Sequence, residues 1–258
     1  MTDIAAIARA LRDAAETKTP IPPVRDALGN DLALARKVQE ANRDHWRAAG
    51  RRVAGRKIAV SSPQAQTALG ATAPAWGWLY ADMLLADGAA VPADAVLHPK
   101  LEGEVAMVLG RDLTMPQPTM ADALAAVDWC MPAIEIAGSR IANGAAKIAD
   151  LVADNANSGL VVLGSPARRP GGLDLRRLGM SLAKNGSHVA SGSGAAVAGH
   201  PFAALAWLAG DCVALGQPLR AGELIMTGTF FPMQPAAAGD AFELDAPEFG
   251  RCEVRFTG

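Results

Sequence analysis

The stretch Leu101-Glu102-Gly103-Glu104-Val105-Ala106-Met107-Val108-Leu109 has the alternation of a β-strand and holds two carboxylates that such a strand cannot easily bury. Successive side chains of a strand point to opposite faces, so Glu102 and Glu104 share one face, about 7 Å apart. Both faces are apolar at the far end of the segment, unlike a strand with one solvated face. The glutamates are therefore predicted at the mouth of an interior, where their repulsion and burial call for a cation.

A third acidic residue lies alone in another apolar run, Pro132-Ala133-Ile134-Glu135-Ile136-Ala137-Gly138. One predicted helix separates the two runs, so a strand-helix-strand unit could bring Glu135 beside Glu102 and Glu104. Three oxygen ligands without a nearby Cys or His suit a hard ion such as Mg²⁺ or Mn²⁺. The alternative is two edge-strand glutamates and one salt-bridged core glutamate, and spacing alone leaves both interpretations open.

Outward from these runs, the chain divides into a helical part and a part rich in short strands. Residues 1–52 are predicted to form a helical arm, with helices over 2–18 and from Asn30 or Asp31 to Gly50. After Gly55 the pattern predicts strands separated by Gly, Pro and Asp, and two helices. The predicted strands are 57–60, 95–98, 102–109, 133–137, 159–163, 179–184, 224–226, 241–244 and 252–256, and the predicted helices are 119–130 and 201–215.

Strands and helices do not alternate regularly, which argues against a doubly wound parallel sheet. We therefore predict one α+β domain over residues 1–258, in which residues 53–258 form a mixed β-roll or distorted barrel beside the arm. The short segment Ser191-Gly192-Ser193-Gly194 is interpreted as a flexible turn.

Composition excludes several classes of function. The 258 residues include 24 basic and 26 acidic side chains, a net charge of −2, so a generic nucleic-acid-binding protein is not expected. No apolar run reaches the roughly 18 residues that span a bilayer, and no leader is visible, so we expect a cytoplasmic protein without a membrane partner. The three cysteines fit neither a disulfide framework nor a zinc site. A small-molecule partner remains.

Four further polar residues are candidate functional residues, but each can also be explained by an ordinary structural role. Lys57 can be one more solvated charge behind an arginine cluster, and Asp82 can be a tuned acid or a helix cap. Ser158 ends a segment of small amides that can bind a carboxylate or simply form a turn. Thr227, in Thr227-Gly228-Thr229, presents the same ambiguity.

Taken together and in order, these segments resemble the motifs of the 2-keto-4-pentenoate hydratase family over nearly the whole chain. The matching segments are Gly55-Arg56-Lys57-Ile58, Leu79-Tyr80-Ala81-Asp82-Met83, Leu101-Glu102-Gly103-Glu104, Ala133-Ile134-Glu135-Ile136-Ala137-Gly138-Ser139-Arg140-Ile141, Val152-Ala153-Asp154-Asn155-Ala156, Gly199-His200-Pro201 and Met226-Thr227-Gly228.

The resemblance implies a fumarylacetoacetase-like β-roll with Mg²⁺ or Mn²⁺ held by the residues that match Glu102, Glu104 and Glu135. It also implies that Lys57 and Asp82 act on the substrate as catalytic residues. Ser158 and Thr227 would then bind the substrate. Phe231 departs from the family pattern, in which a small hydroxyl residue is usual. We expect Phe230 or Phe231 to supply an apolar end wall for the substrate.

The activity implied by the resemblance is that of a hydro-lyase in aromatic-compound degradation. It adds water to 2-hydroxypenta-2,4-dienoate, a small 2-oxo or 2-hydroxy-dienoic acid, to give 4-hydroxy-2-oxopentanoate. A 2-oxo-3-enedioate (4-oxalocrotonate) decarboxylase is the nearest alternative, and Arg140 could reach the second carboxylate of its substrate. An acylpyruvate C–C hydrolase and a non-catalytic partner subunit are further alternatives. A homo-oligomer is expected, because the arm is amphipathic and relatives are homo-oligomers.

Overall fold

The computed structural model describes residues 2–144 and 147–258. Within these residues it contains seven α-helices and thirteen β-strands. The helices are α1 (Ile4–Thr17), α2 (Arg25–Leu28), α3 (Leu32–Ala48), α4 (Pro63–Leu69), α5 (Met120–Ala126), α6 (Ile148–Ala153) and α7 (Pro201–Ala214). The strands are β1 (Val53–Ala59), β2 (Ala75–Tyr80), β3 (Leu84–Ala86), β4 (Ala89–Pro92), β5 (Lys100–Leu109), β6 (Val127–Ala137), β7 (Leu160–Leu163), β8 (Gly179–Lys184), β9 (Ser187–Ser193), β10 (Leu224–Met226), β11 (Gln234–Pro235), β12 (Ala241–Ala246) and β13 (Gly250–Thr257).

The strands form two mixed sheets. The larger has the order β2-β1-β10-β5-β6-β7-β3, with β11 added to β5, and the smaller has the order β4-β13-β12-β8-β9. Strands β2 and β3 lie at opposite ends of the larger sheet, yet only residues 81–83 separate them in the chain. The sheet must therefore curl until its edges approach one another, which produces the predicted α+β roll.

The smaller sheet covers one face of the larger one. A Cβ atom added to Gly103 of β5 would meet Leu244 of β12, and the thiol of Cys252 in β13 donates to the Val162 carbonyl of β7. Leu101 and Val105 share the face of Gly103 and are fully buried. Because side chains alternate, Glu102 and Glu104 lie on the other face of β5, away from this apolar core.

The helical arm begins and ends close to its predicted bounds. Asp3 caps α1 by accepting the Ala6 N–H, and Asp31 caps α3 by accepting two backbone N–H groups. The arm is tied to the roll through Asp150 of α6. Its buried carboxylate accepts the backbone N–H groups of Val24 and Arg25 and pairs with the Arg25 guanidinium.

Several local expectations were wrong. The helix predicted over 119–130 ends at Ala126, because residues from Val127 onward pair with β5 instead. The predicted strand 95–98 forms bends, and the flexible turn expected at 191–194 begins with the last residues of β9. Three helices, α2, α4 and α6, were not expected, and neither were strands β2, β3, β4, β9 and β11.

Among the described residues, one segment is apolar enough to cross a membrane by length and composition. Residues Gly194–Ala214 have a mean hydropathy of 1.2 over the best window, and half of that window is buried. Its regular part, α7, has 14 residues, so it is about 21 Å long, short of a bilayer core of about 30 Å. Phe202, Leu205 and Leu208 of α7 pack into the main hydrophobic core, so α7 is a core helix.

Candidate active site

Strand register brings four of the predicted residues to one face of the larger sheet. Glu102 of β5 lies directly opposite Glu135 of β6, and Glu104 is two residues further along the same face. Across β10, Met226 pairs with Ala106 of β5 and with Lys57 of β1, which places Lys57 on this face too. The strand-helix-strand unit expected between Glu104 and Glu135 therefore exists, as β5, α5 and β6.

The three glutamates form a compact cluster. One carboxylate oxygen from each of Glu102, Glu104 and Glu135 lies within 4.8 Å of the others. Glu104 and Glu135 are fully buried, and Glu102 is half-buried. Lys57 is also buried, and its Nζ lies 2.9 Å from Glu135 Oε1. Three carboxylates thus share one ammonium group.

Burial and mutual repulsion shift the protonation equilibria of this cluster. Burial is the largest cause that raises the pKa of Glu104 well above its usual value, and the neighbouring Glu135 and Glu102 raise it further. Burial also raises the pKa of Glu135 to about 7, against the opposing effect of Lys57. Burial alone would lower the pKa of Lys57, but the glutamates raise it above its usual range, so Lys57 stays an ammonium ion.

The cluster fits a divalent cation. Glu104 Oε1 and Glu135 Oε2 are buried and have no hydrogen-bond partner among the described residues, a costly state for a carboxylate. The other oxygen of Glu104 accepts the backbone N–H of Gly228 at 2.7 Å, which fixes the carboxylate's orientation. An all-oxygen donor set with excess negative charge suits a hard ion such as Mg²⁺ or Mn²⁺.

Ser158 reaches the same face from a left-handed turn. Residues Asn155, Ala156 and Asn157 all have φ between 52° and 57°, which is costly for a residue such as Ala156. Gly77 pairs with Lys57 across β1 and β2, and a Cβ there would lie 2.6 Å from Ser158 Oγ. The turn therefore sits over the part of the sheet that carries Lys57.

Arg140 clamps this turn, a contact that sequence reasoning missed. Its guanidinium binds the carboxylate and the carbonyl oxygen of Asp154 and donates to the Ser158 carbonyl at 2.9 Å. The Ser139 hydroxyl adds a hydrogen bond to the Asp154 carboxylate. The sequence signal was the motif Gly138-Ser139-Arg140, and the structure pairs its arginine with Asp154 instead of leaving it free for a distal carboxylate.

The hydroxyl of Thr227 is engaged within the sheet. Thr227 is fully buried, and its Oγ1 donates to the Val105 carbonyl at 2.9 Å. The next residue, Gly228, has φ 114°, and a Cβ there would lie 2.5 Å from Ser61 Oγ. Thr227 thus holds the backbone that presents the Gly228 N–H to Glu104, and its predicted contact with substrate stays a prediction.

Asp82 shares a cleft with Ser158, because both residues line the space between the arm and the roll. Its carboxylate receives two hydrogen bonds from Arg51, at 2.8 and 3.0 Å, and 60% of its side chain is exposed. It lines a cleft of about 260 Å³ between the arm and the roll, which we call the arm cleft; Arg12, Lys18, Trp46 and Arg140 also line it. Ser158 lines the same cleft, whereas the three glutamates do not, and the catalytic role of Asp82 stays a prediction.

The aromatic end wall expected from Phe230 or Phe231 is not formed by Phe231. A Cβ at Gly103 would lie 2.3 Å from the ring of Phe231, and Gly103 faces the core between the two sheets. The Phe231 ring fills the space that Gly103 leaves there. The Phe230 ring lies near Gly194, and its contact with substrate stays a prediction.

Comparison with known proteins agrees with this architecture. The family described as fumarylacetoacetate (FAA) hydrolase, C-terminal, matches residues 35–257. A 2-keto-4-pentenoate hydratase of Paraburkholderia xenovorans is 43% identical over 96% of this chain and 93% of its own length. A 2-hydroxyhexa-2,4-dienoate hydratase of Comamonas testosteroni is 44% identical over 81% of this chain and 80% of its own length.

A solved structure of 4-oxalocrotonate decarboxylase from Pseudomonas putida, complexed with magnesium and adipate, is also similar. It superposes with a TM-score of 0.95 at 31% identity, over 98% of this chain and 97% of that one. The chain therefore belongs to the fumarylacetoacetate hydrolase family.

Proposed function

We propose that this protein is a metal-dependent hydratase that converts 2-hydroxypenta-2,4-dienoate to 4-hydroxy-2-oxopentanoate in the degradation of aromatic compounds. The observation that supports this most is the buried cluster of Glu102, Glu104 and Glu135 beside Lys57, with carboxylate oxygens that lack partners. Relatives named as hydratases of this type are 43–44% identical to the chain.

Glu102, Glu104 and Glu135 would hold Mg²⁺ or Mn²⁺. A bound ion of this kind supplies Lewis-acid stabilisation to the carboxylate and 2-oxo oxygens of the substrate. Gly228 supports the site by fixing one oxygen of Glu104 through its backbone N–H, which leaves the second oxygen available.

Lys57 supplies the positive charge of the chain's own residues at this site. Its ammonium group is buried, and its pKa is held high by the glutamates, so it remains protonated at neutral pH. A fixed cation in a dry site stabilises negative charge that develops on a substrate oxygen without the reorganisation that water requires. We assign Lys57 to the enolate oxygen or the substrate carboxylate.

Ser158 is the proposed substrate-binding residue, and its geometry limits what it can do. Its hydroxyl donates its hydrogen to the Asn155 carbonyl at 2.8 Å, so the hydroxyl oxygen can act only as an acceptor toward a ligand. It can therefore accept a hydrogen bond from the attacking water or from a substrate hydroxyl. We also propose that Thr227 and Asp82 take part in the reaction. Thr227 would act by holding the backbone that presents the Gly228 N–H to Glu104, and Asp82 would act from the rim of the arm cleft.

The similarity to 4-oxalocrotonate decarboxylase makes decarboxylation the second candidate. A dicarboxylate substrate needs a cation or several donors at its distal end. Arg140, the sequence candidate for that task, is bound to Asp154 and to the Ser158 carbonyl. This engagement favours the monoacid substrate and hence the hydratase.

The deciding experiment offers both substrates to the same Mg²⁺-loaded protein. Hydration of 2-hydroxypenta-2,4-dienoate is measured as the loss of the diene's ultraviolet absorbance. Decarboxylation of 2-oxohex-3-enedioate is measured as the release of CO₂. We expect hydration to be faster. Predominant CO₂ release would establish the decarboxylase instead, and no turnover of either substrate would favour a non-catalytic subunit.

We also propose a cytoplasmic homo-oligomer. Met120 and Leu124, one turn apart on α5, are 49% and 45% exposed, a pairing that supports contact with another copy. A monomer by light scattering at micromolar concentration would contradict self-association.

A further inference from the structure

We propose that the hydroxyl of Ser61 is a further substrate-binding group, which donates a hydrogen bond to the carboxylate of the 2-oxo acid. Ser61 follows β1, the strand that carries Lys57 and ends at Ala59. The inference rests on the proposed function and deepens it, because a carboxylate held by Ser61 leaves Lys57 to the enolate oxygen.

The backbone just before Ser61 is strained. Val60 has φ 59°, a left-handed conformation that is costly for a β-branched residue and is typical of functional sites when it occurs. The Val60 carbonyl accepts a hydrogen bond from the Gln66 side chain at 3.2 Å, and the Ser61 carbonyl accepts the Ala198 backbone N–H at 3.2 Å. These two bonds hold the chain in a turn that β1 alone would not make.

The turn brings Ser61 against a residue that fixes one of the glutamates. Strands β1 and β10 are parallel neighbours, so the end of β1 runs beside the residues that follow β10. A Cβ at Gly228 would lie 2.5 Å from Ser61 Oγ, and the Gly228 N–H donates to Glu104 at 2.7 Å. Gly228 therefore contacts both the Ser61 hydroxyl and the glutamate cluster.

The Ser61 hydroxyl has its hydrogen available for a ligand. Ser61 is only 5% exposed, and among the described residues the side-chain bonds of this turn come from Gln66 and Ser62, not from Ser61. A buried hydroxyl without a partner is costly, and a bound ligand removes that cost. A carboxylate needs donors, which Ser158 cannot supply because its hydrogen is bonded to the Asn155 carbonyl.

Isothermal titration calorimetry of the Mn²⁺-loaded, full-length protein with pyruvate tests the assignment, because pyruvate is a 2-oxo acid without a diene to hydrate. S61A should bind pyruvate about tenfold more weakly than the wild type, the cost of losing a hydrogen bond to a charged group. Its preference for pyruvate over the neutral pyruvamide should fall as well. The control is S187A, since Ser187 is exposed on β9, and it should bind pyruvate as the wild type does.

Two further measurements separate ligand binding from a structural role. S61A should keep the Mn²⁺ affinity of the wild type and should melt no lower, because the hydroxyl that it removes has no partner within the protein. For the dienoate, S61A should raise KM and leave kcat nearly unchanged, as expected when a contact is equally strong in the ground state and the transition state.

The outcomes distinguish Ser61 from the hydratase activity, which wild-type turnover of the dienoate tests by itself. Pyruvate affinity of S61A equal to that of S187A, a lower Tm of S61A, or no pyruvate binding by the wild type would overturn the role of Ser61 even in an active hydratase. Pyruvate binding that depends on Ser61 in a protein that does not hydrate the dienoate would overturn the hydratase alone.

Discussion

Replacing Lys57 with methionine tests the electrostatic balance of the carboxylate cluster. The Lys57 and Glu135 side chains are 2% and 0% exposed, and their charged atoms lie 2.9 Å apart. Removing one partner of a buried ion pair costs about 3–5 kcal/mol, and 1 kcal/mol lowers Tm by about 2–4 °C in a chain of this size. Methionine replaces most of the side-chain volume, so the charge dominates. We expect the Tm of K57M in EDTA at pH 8 to fall by roughly 6–20 °C.

The loss should depend on pH and on metal. Because the pKa of Glu135 is already raised to about 7, this carboxyl can take up a proton at pH 6 and relieve the repulsion, so the fall in Tm should be smaller there. Added Mg²⁺ should raise the Tm of K57M more than that of the wild type, because the ion replaces the lost positive charge. Turnover of the dienoate should stay at least about 100-fold lower even with Mg²⁺.

The matched control is K184M. Lys184 pairs with Asp240 at 2.8 Å, but its side chain is 28% exposed, so its removal should cost at most about 1 kcal/mol and should not respond to Mg²⁺. Calorimetric melting of both variants with and without Mg²⁺ measures these effects. A K57M protein that melts with the wild type in EDTA at pH 8, or that gains no more from Mg²⁺, would refute the reasoning.

Three further changes have defined outcomes. In EDTA, the pKa of Glu135 is about 7 in the folded state and has its usual, lower value in the unfolded chain. The contribution of this group to stability should therefore fall as pH rises from the lower pKa to the higher one. Melting from pH 5 to 8 should show a smaller fall in Tm for E135Q than for the wild type. G103A places a Cβ 2.3 Å from the Phe231 ring and should lower the free energy of unfolding, measured in urea, by about 1–3 kcal/mol. In the double variant G103A/F231L the loss should be less than the sum of the losses in the two single variants. R140Q should lower kcat/KM for the dienoate at least about tenfold, because Arg140 holds the turn that carries Ser158. Its Mn²⁺ affinity should be unchanged, because Arg140 does not bond the glutamates. A tenfold loss of Mn²⁺ affinity would show instead that the whole site had collapsed.

The part of the site that sequence could predict is the part set by strand periodicity. Glu102 and Glu104 share a face because alternate residues of a strand do. One helix between two strands indicated that Glu135 could lie beside them, and the strand register places it directly opposite Glu102. Lys57 needed the family resemblance, because nothing in its own run separates a buried ammonium from a solvated one.

The remainder depends on contacts between distant segments. Asp82 pairs with Arg51, at the end of the arm, and no local sequence pattern predicts this ion pair. The Phe231 ring turned away from the site because Gly103, 128 positions earlier, left room in the core. In the left-handed turn, Asn155 and Asn157 tolerate positive φ but Ala156 does not, and the bonds that Arg140 makes to Asp154 and Ser158 on either side of the turn come from outside it.

The most direct test of the central claim is a titration of Mn²⁺ into metal-stripped protein at pH 8, with free Mn²⁺ measured by electron paramagnetic resonance. The wild type should bind one Mn²⁺ per chain. E104Q preserves the shape of a buried ligand and removes its charge, so the fold should survive while affinity falls at least about tenfold. Glu243→Gln, an exposed glutamate on β12, is the control and should bind as the wild type does. Saturable binding of equal affinity in all three proteins, or no saturable binding in the wild type, would contradict the assignment of Glu102, Glu104 and Glu135 as the metal site.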